Sequence, residues 1–339
     1  MKIRIIAFST NGCRTSLKIK EGLDDDAEVW SKTRADTLGV PTVKGSLDRW
    51  TREAFEECDA IVFVGAIGIA VRHIAPYIKS KDVDPAIICL DELGKYCIPL
   101  LSGHIGGANR LSLRIADILG SEPVVTTATD INGKWAVDVF ATDNRMRIIR
   151  LHEAKEASSR ILHDEFIGFA CDMPYEGKLP EGLTPAEEGE FGICISSDGR
   201  KPFKKTLALV PMDIVLGIGC RRGTDPGKLK AFVKEILEED NISPLRVRGI
   251  ASIDLKEDEE ALHVLAKELD TDLRFYTSEE LMSLEGEFSK SEFVRSVTSV
   301  DCVCERSAVM LGKGELIRKK TARDGMTLAI SMNHITPRF

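Results

Sequence analysis

One histidine of the chain stands where acid–base chemistry is easily arranged. His104 lies in the stretch "IPLLSGHIGGANRLSLRIADILG", residues 98–120, in which an apolar run is followed by glycines and then by an amphipathic segment. A helix that starts directly after the glycines would present free N–H groups, which lower the pKa of a nearby imidazole and keep it neutral. We therefore predict that His104 is a general base that activates water, although a loop histidine bonded only to backbone would fit the same pattern.

Residues near this histidine could complete a site around it. Asp91 and Glu92 stand in the turn before the apolar run and could orient the imidazole, although turns are also the commonest place for solvated carboxylates. The backbone N–H groups near Gly106 and Gly107, helped by Asn109, could meet an oxygen on which negative charge develops. We predict one site that combines a base, an orienting acid and N–H donors.

Three loops of the chain share one pattern, in which an apolar strand runs into glycines and then into a helix. They read "VFVGAIGIAVRH", "PLLSGHIGGANR" and "VLGIGCRRGTD". Anions bind at helix N-termini and ligands of open α/β sheets collect outside the carboxyl ends of strands, so we predict that the three loops face one cleft. The alternative is that the glycines only allow tight turns. The residues predicted to contact the ligand are Gly65, Gly68, Arg72, Gly103, Gly106, Gly107, Arg110, Gly217, Gly219, Arg221, Arg222 and Thr224.

The arginines of these loops favour a ligand that carries carboxylates. Arg221 and Arg222 occupy the turn of the third loop, and a guanidinium group can bind a carboxylate through two hydrogen bonds. The segment "GIGCRRG" is one residue longer than the dinucleotide-binding fingerprint and no GxxxxGK[ST] occurs, so a nicotinamide-dependent enzyme is the weaker alternative. Arg72 is predicted to contact the ligand, and the adjacent His73 is predicted to be structural.

Short apolar runs alternate along the chain with segments of helical period, which predicts an α/β fold. We divide the chain into two α/β domains with mixed sheets, residues 1–135 and 212–339, joined by a small α+β middle module, residues 136–211. In the first domain, "DELGK" between two apolar runs predicts a hairpin turn.

Glu305, in "VCERSA", is predicted to open a late helix. It is a second candidate base if its carboxylate reaches the same cleft, and otherwise it stabilises the helix dipole.

The composition argues against several classes of function. The net charge is −8 at pH 7 and no basic stripe carries interleaved aromatics, so nucleic acid is not an expected partner. No apolar run approaches the roughly 20 residues that span a membrane. The nine cysteines form no CxxC pair, which predicts reduced thiols in the cytoplasm and neither a disulfide framework nor a metal site. The sequence does not indicate an oligomeric state.

The longest motif resembles the signature of one enzyme family. The block "GAIGIAVRHIAPYIKSKDVDPAIICLDELGKYCIPLLSGHIGGANRLSLRIADILGSEPVVTTATDINGKWAVD", residues 65–138, closely resembles the N-terminal signature of the cobalt-precorrin-5A hydrolases, the cobalamin biosynthesis protein G family. The segments "VLGIGCRRGT", "IASIDLKEDEEAL" and "VCERSA" resemble the C-terminal domain of that family, in the same order. One departure is Ser299, which stands where a glycine is expected and affects only the tightness of that turn.

The resemblance implies an enzyme of the anaerobic route to vitamin B12. Its substrate would be a corrin-like macrocycle that carries cobalt and many carboxylate side chains, and other enzymes of the pathway are candidate partners. The family opens a δ-lactone on ring A and expels acetaldehyde, which gives cobalt-precorrin-5B. No added cofactor is expected, because the cobalt is carried by the substrate. The alternative is a binding protein in place of an enzyme, namely a non-catalytic carrier that holds unstable corrinoid intermediates.

Overall fold

A computed structural model describes residues 1–80, 83–290 and 298–339 of the protein. These residues form two compact units, Met1–Val139 and Phe140–Phe339. They contain three sheets, and each sheet combines parallel with antiparallel neighbours. The predicted α/β class with mixed sheets is therefore confirmed. The division into three domains stays a prediction.

The first unit is a six-stranded sheet of order β2-β1-β3-β4-β5-β6 with helices on both faces. Strands β3 and β4 are buried along their whole length, as expected of central parallel strands that are covered on both sides. The elements are β1 (Lys2–Ala7), α1 (Thr10–Gly22), β2 (Asp26–Ser31), α2 (Leu47–Glu57), β3 (Ala60–Val64), α3 (Ile67–Ile74), β4 (Ala86–Leu90), β5 (Tyr96–Leu101), α4 (Ala108–Leu119), β6 (Glu122–Pro123), α5 (Ala128–Ile131) and the first turn of α6 (Val137–Asp143).

The core of this unit lies in two layers, because successive side chains of a strand point to opposite faces of the sheet. Helices α1 and α4 cover one face, where Leu111 and Ile115 pack near Ile5. Helices α2 and α3 cover the other face, where the Trp50 indole meets the Phe63 ring edge-on with centroids 6.4 Å apart. Because the helices cover both faces, the loops lie along the two edges of the sheet at which the strands begin and end.

A hairpin between β4 and β5 reverses the direction of the chain within the sheet. Strands β1 to β4 are parallel, but β5 is antiparallel to β4, with Leu90 opposite Cys97 and Ile87 opposite Leu101. The predicted "DELGK" turn is confirmed, since it joins the antiparallel strands β4 and β5 and the Asp91 carboxylate accepts hydrogen bonds from the backbone N–H groups of Leu93 and Tyr96. The loop after β5 therefore lies at the edge where β4 begins.

The second unit contains two five-stranded sheets, of order β7-β11-β10-β8-β9 and β14-β13-β12-β16-β15. In the latter sheet β12, β13 and β14 are parallel, and β15 and β16 form an antiparallel pair beside β12. The elements are β7 (Met146–Ile148), α7 (Leu151–Leu162), β8 (Ile167–Cys171), β9 (Leu183–Pro185), β10 (Phe191–Ile195), β11 (Lys205–Pro211), β12 (Ile214–Cys220), α8 (Pro226–Glu239), β13 (Val247–Ile253), α9 (Glu260–Leu269), β14 (Asp272–Tyr276), α10 (Ser278–Met282), α11 (Val303–Gly312), β15 (Glu315–Arg323) and β16 (Met326–Met332).

Three general features of the described residues bear on function. Among them, no helix is both long enough and apolar enough to cross a membrane. All nine cysteines are free thiols. Within the same residues, no group of three or more histidine, cysteine, aspartate or glutamate side chains is arranged to hold a metal ion.

Helix α11 packs directly on β12 at Gly217. A Cβ at this position would lie 1.8 Å from the carbonyl oxygen of Cys304 and 2.8 Å from the Cβ of Ala308. A real Cβ cannot occupy that space, so the absence of a side chain allows helix and strand to approach closely. Gly217 is explained by packing without reference to a ligand.

The close approach predicts that Gly217→Ala is strongly destabilising, because both neighbours of the added methyl are backbone or helix atoms that cannot rotate away. We expect the free energy of unfolding in urea to fall by about 3 kcal/mol, the upper end of ordinary overpacking. Gly68→Ala in α3 is the matched control, since no atom lies within 3.6 Å of a Cβ there. Its stability should stay within about 0.5 kcal/mol of the wild type. Equal stability of both variants would contradict this account.

Candidate active site

The loop after β5 is folded tightly around its glycines. Ser102 adopts a left-handed backbone conformation with φ of 56°, and its hydroxyl donates to the carbonyl of Asp84 at 2.9 Å. A Cβ on Gly106 would lie 2.4 Å from the Cβ of Ser102, so only glycine fits there. The N–H of Gly107 donates to the carbonyl of His104 at 2.9 Å. That N–H is used inside the loop and does not serve as the predicted donor to an oxyanion.

The imidazole of His104 lies between two carboxylates. Its Nδ1 is 3.0 Å from Oδ1 of Asp138, and its Nε2 is 2.8 Å from Oδ2 of Asp130. Asp130 belongs to α5 and Asp138 to α6. The side chains of His104 and Asp138 are 12% and 10% exposed, whereas that of Asp130 is 39% exposed. The three side chains form a row that begins inside the protein and ends at solvent.

These carboxylates set the charge of the ring. The hydrogen bond to Asp138 raises the pKa of His104 most, burial alone would lower it, and Asp130 raises it further, to about 9 in all. A neutral imidazole carries one N–H and could donate to only one of the two acids, whereas the imidazolium donates to both. His104 is therefore charged at neutral pH. The prediction that the helix start keeps it neutral is wrong, because two carboxylates outweigh the N-terminus of α4.

Asn109 holds one of these carboxylates. Its Nδ2 donates to Oδ2 of Asp130 at 2.8 Å and to Oγ1 of Thr127 at 3.0 Å. A Cβ on Gly103 would lie 2.8 Å from Oδ1 of Asn109, so this glycine leaves room for the amide. The amide of Asn109 is thus engaged with an acid of the site, where the sequence predicted a contact to an oxyanion.

Asp91 and Glu92 do not orient the histidine. They follow β4 at its carboxyl end, whereas His104 follows β5 at the opposite edge of the sheet. The Asp91 carboxylate binds the backbone of its own turn, and Glu92 accepts a hydrogen bond from Ser9. The prediction that these acids orient His104 is wrong. They are close to His104 in sequence, but the hairpin places them one strand length away from it.

The loop with Gly65 and Gly68 also lies away from the histidine. It follows the carboxyl end of β3, and five residues of strand span about 16 Å. These two loops of the first unit therefore lie at opposite edges of one sheet, and the prediction that they face the same way is wrong. Arg72 on α3 is exposed and its side chain makes no hydrogen bond or ion pair with described residues. The adjacent His73 contacts α2, with Nδ1 2.6 Å from Oδ1 of Asp48, and its structural role stays a prediction.

Arg110 is the predicted ligand contact that stays near the histidine. It lies in the first turn of α4, three residues after Gly107, and is exposed. Its guanidinium reaches back toward that glycine, since NH2 would lie 4.0 Å from a Cβ placed there. Of the arginines predicted to bind the ligand, Arg110 is thus the one placed on the helix that starts beside His104.

In the third loop, which lies in the second unit, two arginine side chains are available to a ligand, whereas backbone N–H groups are already bonded within the chain. The N–H groups of Gly223 and Thr224 donate to the carboxylate of Glu259 at 3.3 and 3.0 Å. Since Glu259 is 7% exposed, the chain itself fills the place where an anion was predicted. Arg221 and Arg222 are exposed, and their guanidinium groups make no hydrogen bond or ion pair with described residues.

Two further features of this unit concern predicted residues. An open cavity of about 490 Å³ beside the loop is lined by Arg222 and Thr224, among others. A Cβ on Gly219 would lie 2.6 Å from Oγ1 of Thr327, so this glycine, like Gly217, is explained by packing.

Glu305 is a structural carboxylate. It is 0% exposed and accepts hydrogen bonds from the N–H groups of Ser289 and Lys320, both at 2.7 Å, and from the Ser289 hydroxyl at 2.8 Å. Burial alone would raise the pKa of Glu305, but these hydrogen bonds lower it below its usual value. An enclosed carboxylate with three donors cannot reach a substrate in this conformation, so its prediction as a second base is wrong.

Sequence reasoning missed the two acids that matter most for the histidine. Asp130 and Asp138 follow His104 by 26 and 34 residues, and both lie in the block that carried the family resemblance. The block itself contained a signal, because each of its acids was a candidate for pairing with His104, the histidine that stands among glycines. Nearness in sequence was the misleading criterion, because it favoured the acids of the turn.

Three family descriptions match the chain in succession. "Cobalamin synthesis G N-terminal" matches residues 49–130, "Cobalamin biosynthesis central region" matches 135–211 and "Cobalamin synthesis G C-terminus" matches 214–331. The chain belongs to the cobalamin synthesis G family. His104, Asn109 and Asp130 fall in the N-terminal match, and Asp138 falls in the central one, so two regions of the family contribute to the cluster.

Relatives of this cobalamin synthesis G protein carry enzyme names. The cobalt-precorrin-5A hydrolase of Salmonella typhimurium is 34% identical over 303 residues, which cover 86% of each chain. The protein of that name from Priestia megaterium is 27% identical over 313 residues, 86% of this chain and 83% of the relative. The crystal structure of a cobalamin biosynthesis protein G homolog from Sulfolobus solfataricus is 27% identical, covers 98% of this chain and 97% of its own, and has a TM-score of 0.43. Family membership gives this chain a role in cobalamin biosynthesis.

The charge of His104 can be measured directly. In protein labelled with ¹⁵N-histidine, we expect the ring of His104 to titrate near pH 9, assigned with a His104→Gln variant. Asp138→Asn should lower this pKa most, because its hydrogen bond is the largest cause of the shift. Asp117→Asn, an exposed acid of α4, should leave the pKa near 9. A wild-type inflection near the ordinary 6.5 would show that the carboxylates do not hold the proton.

Proposed function

We propose that this protein is a cobalt-precorrin-5A hydrolase, which opens the ring A δ-lactone of its substrate, releases acetaldehyde and leaves cobalt-precorrin-5B. The single observation that carries the proposal is His104 held between Asp130 and Asp138 in the family's signature block. The name of the Salmonella typhimurium relative, 34% identical over 86% of both chains, supports it. We also propose a cytoplasmic enzyme, in keeping with nine free thiols.

The chemistry of the lactone fits the groups of the site. Hydrolysis needs an acceptor for the proton of water and a donor for the oxygen that leaves. The imidazolium of His104 is the donor in this proposal, in place of the neutral base predicted from the sequence. The N-terminal end of α4 lies beside it and favours negative charge on the reacting oxygen. No added cofactor is called for, because cobalt comes with the substrate.

The carboxylate side chains of the macrocycle need cationic partners. We propose Arg110 for this task in the first unit. In the second unit, taken by itself, we propose that Arg221 and Arg222 bind carboxylates of the corrinoid, because the guanidinium groups of these two residues have no partner among the described residues. A guanidinium without an internal partner keeps its hydrogen-bonding capacity for a ligand. Arg72 is left out of the proposal, since it is placed at the edge of the first sheet that is remote from His104.

The second candidate function is a carrier that binds the corrinoid without changing it. Exposed arginines would serve such a carrier equally well, but a histidine charged by two acids would have no task in it. Incubation of the purified protein with cobalt-precorrin-5A distinguishes the two. Alcohol dehydrogenase and NADH report acetaldehyde, and mass spectrometry reports the corrinoid. One acetaldehyde per substrate over many turnovers supports the hydrolase, whereas tight binding without acetaldehyde supports the carrier.

The proposed donor role of His104 predicts a defined pH dependence. Because the acid form is needed, kcat/KM should fall as the pH rises through about 9, where the imidazolium loses its proton. His104→Gln should keep corrinoid binding and lower kcat by about 10²-fold or more, with little pH dependence left near 9. A rate that instead rises through this pH range would return His104 to the role of neutral base.

Removal of one free guanidinium should weaken binding of the substrate. Arg221→Ala is expected to lower the affinity by about 1.5–3 kcal/mol, the usual range for a hydrogen bond between charged groups. Added salt should weaken binding by the wild type as well, since the arginine is exposed. Arg323→Ala is the matched control, because Arg323 is already paired with Glu235 at 2.9 Å. Titration of both variants with the corrinoid measures the difference, and equal affinities would exclude Arg221 from binding the corrinoid.

A further inference from the structure

We infer that Asp130 is the group that takes the proton from the attacking water, and that His104 and Asn109 hold its carboxylate for that purpose. The inference rests on the proposed hydrolase function. Asp130 thereby has a catalytic role that the sequence did not predict, and the two acids beside His104 have different tasks.

The two acids differ in what their oxygens already bind. Asp138 is 10% exposed, and its Oδ1 lies 3.0 Å from the imidazole and accepts the N–H of Val139 at 3.1 Å. Asp130 is 39% exposed, and its Oδ2 accepts both hydrogen bonds that the carboxylate receives. Its Oδ1 has no partner among the described residues. A solvent-facing carboxylate with one oxygen held and the other unoccupied can bind a water and accept its proton.

The held oxygen fixes the carboxylate of Asp130 on a short helix. Helix α5 has four residues, too few to define a side chain precisely without tertiary contacts. Nε2 of His104 and Nδ2 of Asn109 both lie 2.8 Å from Oδ2, so two donors from the loop before α4 and from α4 itself anchor it. Asn109 is 8% exposed and is fixed in turn by Thr127. In this assignment Asn109 is a positioning residue.

The step balances with the groups present. An O–H bond of water breaks as its proton moves to Oδ1 of Asp130, and the water oxygen bonds to the carbonyl carbon of the lactone. Once Asp130 is protonated it accepts the Nε2–H of His104 only weakly, and that hydrogen bond is given up. The bond from the carbonyl carbon to the ring oxygen then breaks, and the ring oxygen takes the proton from Nε2 of His104. Asp130 then passes its proton to His104. The lactone and one water have become an acid and an alcohol, and both side chains have returned to their starting state.

The first test compares three proteins in the acetaldehyde assay. Asp130→Asn keeps the size of the side chain but cannot accept a proton, so kcat should fall by about 10²-fold or more while KM changes by less than about threefold. Asp117→Asn, an exposed acid on α4, should match the wild type. Thermal unfolding confirms that all three are folded. A wild type without acetaldehyde release refutes the proposed function, whereas an active wild type with an equally active Asp130→Asn refutes only the role of Asp130.

The second test asks whether a small carboxylate can replace the missing one. In Asp130→Ala, added formate should raise kcat at least fivefold in a concentration-dependent way, because it can bind in the vacated space and accept the proton of water. Formate should not raise kcat of His104→Gln, which keeps its own Asp130. No effect of formate on Asp130→Ala, or an equal effect on both variants, overturns the inference.

Discussion

The reversal of the chain between β4 and β5 decides where the chemistry of the first unit can lie. Because β5 runs antiparallel to β4, its last residue, Leu101, pairs with Ile87 at the beginning of β4. The hydroxyl of Ser102 then fixes the next loop to the carbonyl of Asp84, just ahead of that strand. The histidine loop is thereby committed to the amino edge of the parallel strands, away from the carboxyl edge where ligands of open α/β sheets usually bind.

At that edge the electrostatics are set by one imidazole and two carboxylates. The two acids on either side of the ring, Asp138 buried and Asp130 exposed, repel each other unless a positive charge lies between them, and the imidazolium supplies it. This arrangement raises the pKa of His104 above that of a free histidine. It also leaves Asp130 as the member of the row that solvent reaches most easily. In the mechanism proposed here, the less exposed His104 is therefore the proton donor and the more exposed Asp130 is the proton acceptor.

Several glycines of these loops serve the packing of the fold more than the approach of a ligand. Gly106 makes room for Ser102, Gly103 for the amide of Asn109, and Gly217 for helix α11. In each case a Cβ would lie within 3 Å of a neighbouring atom. A glycine required by a ligand and a glycine required by a neighbouring helix look alike in a sequence, because both are defined by the missing side chain alone. Only the atoms around the position distinguish them.

The sequence by itself determined the fold class, the family, the hairpin and the helix α4 that starts directly after Gly106 and Gly107. These follow from patterns within a few residues, such as the alternation of apolar runs and the spacing of turn residues. The tertiary structure decided which acids meet His104 and that Glu305 is enclosed. Such pairings depend on strand order and on contacts between residues that are 26 and 34 positions apart, and no local pattern encodes the path of the chain between them.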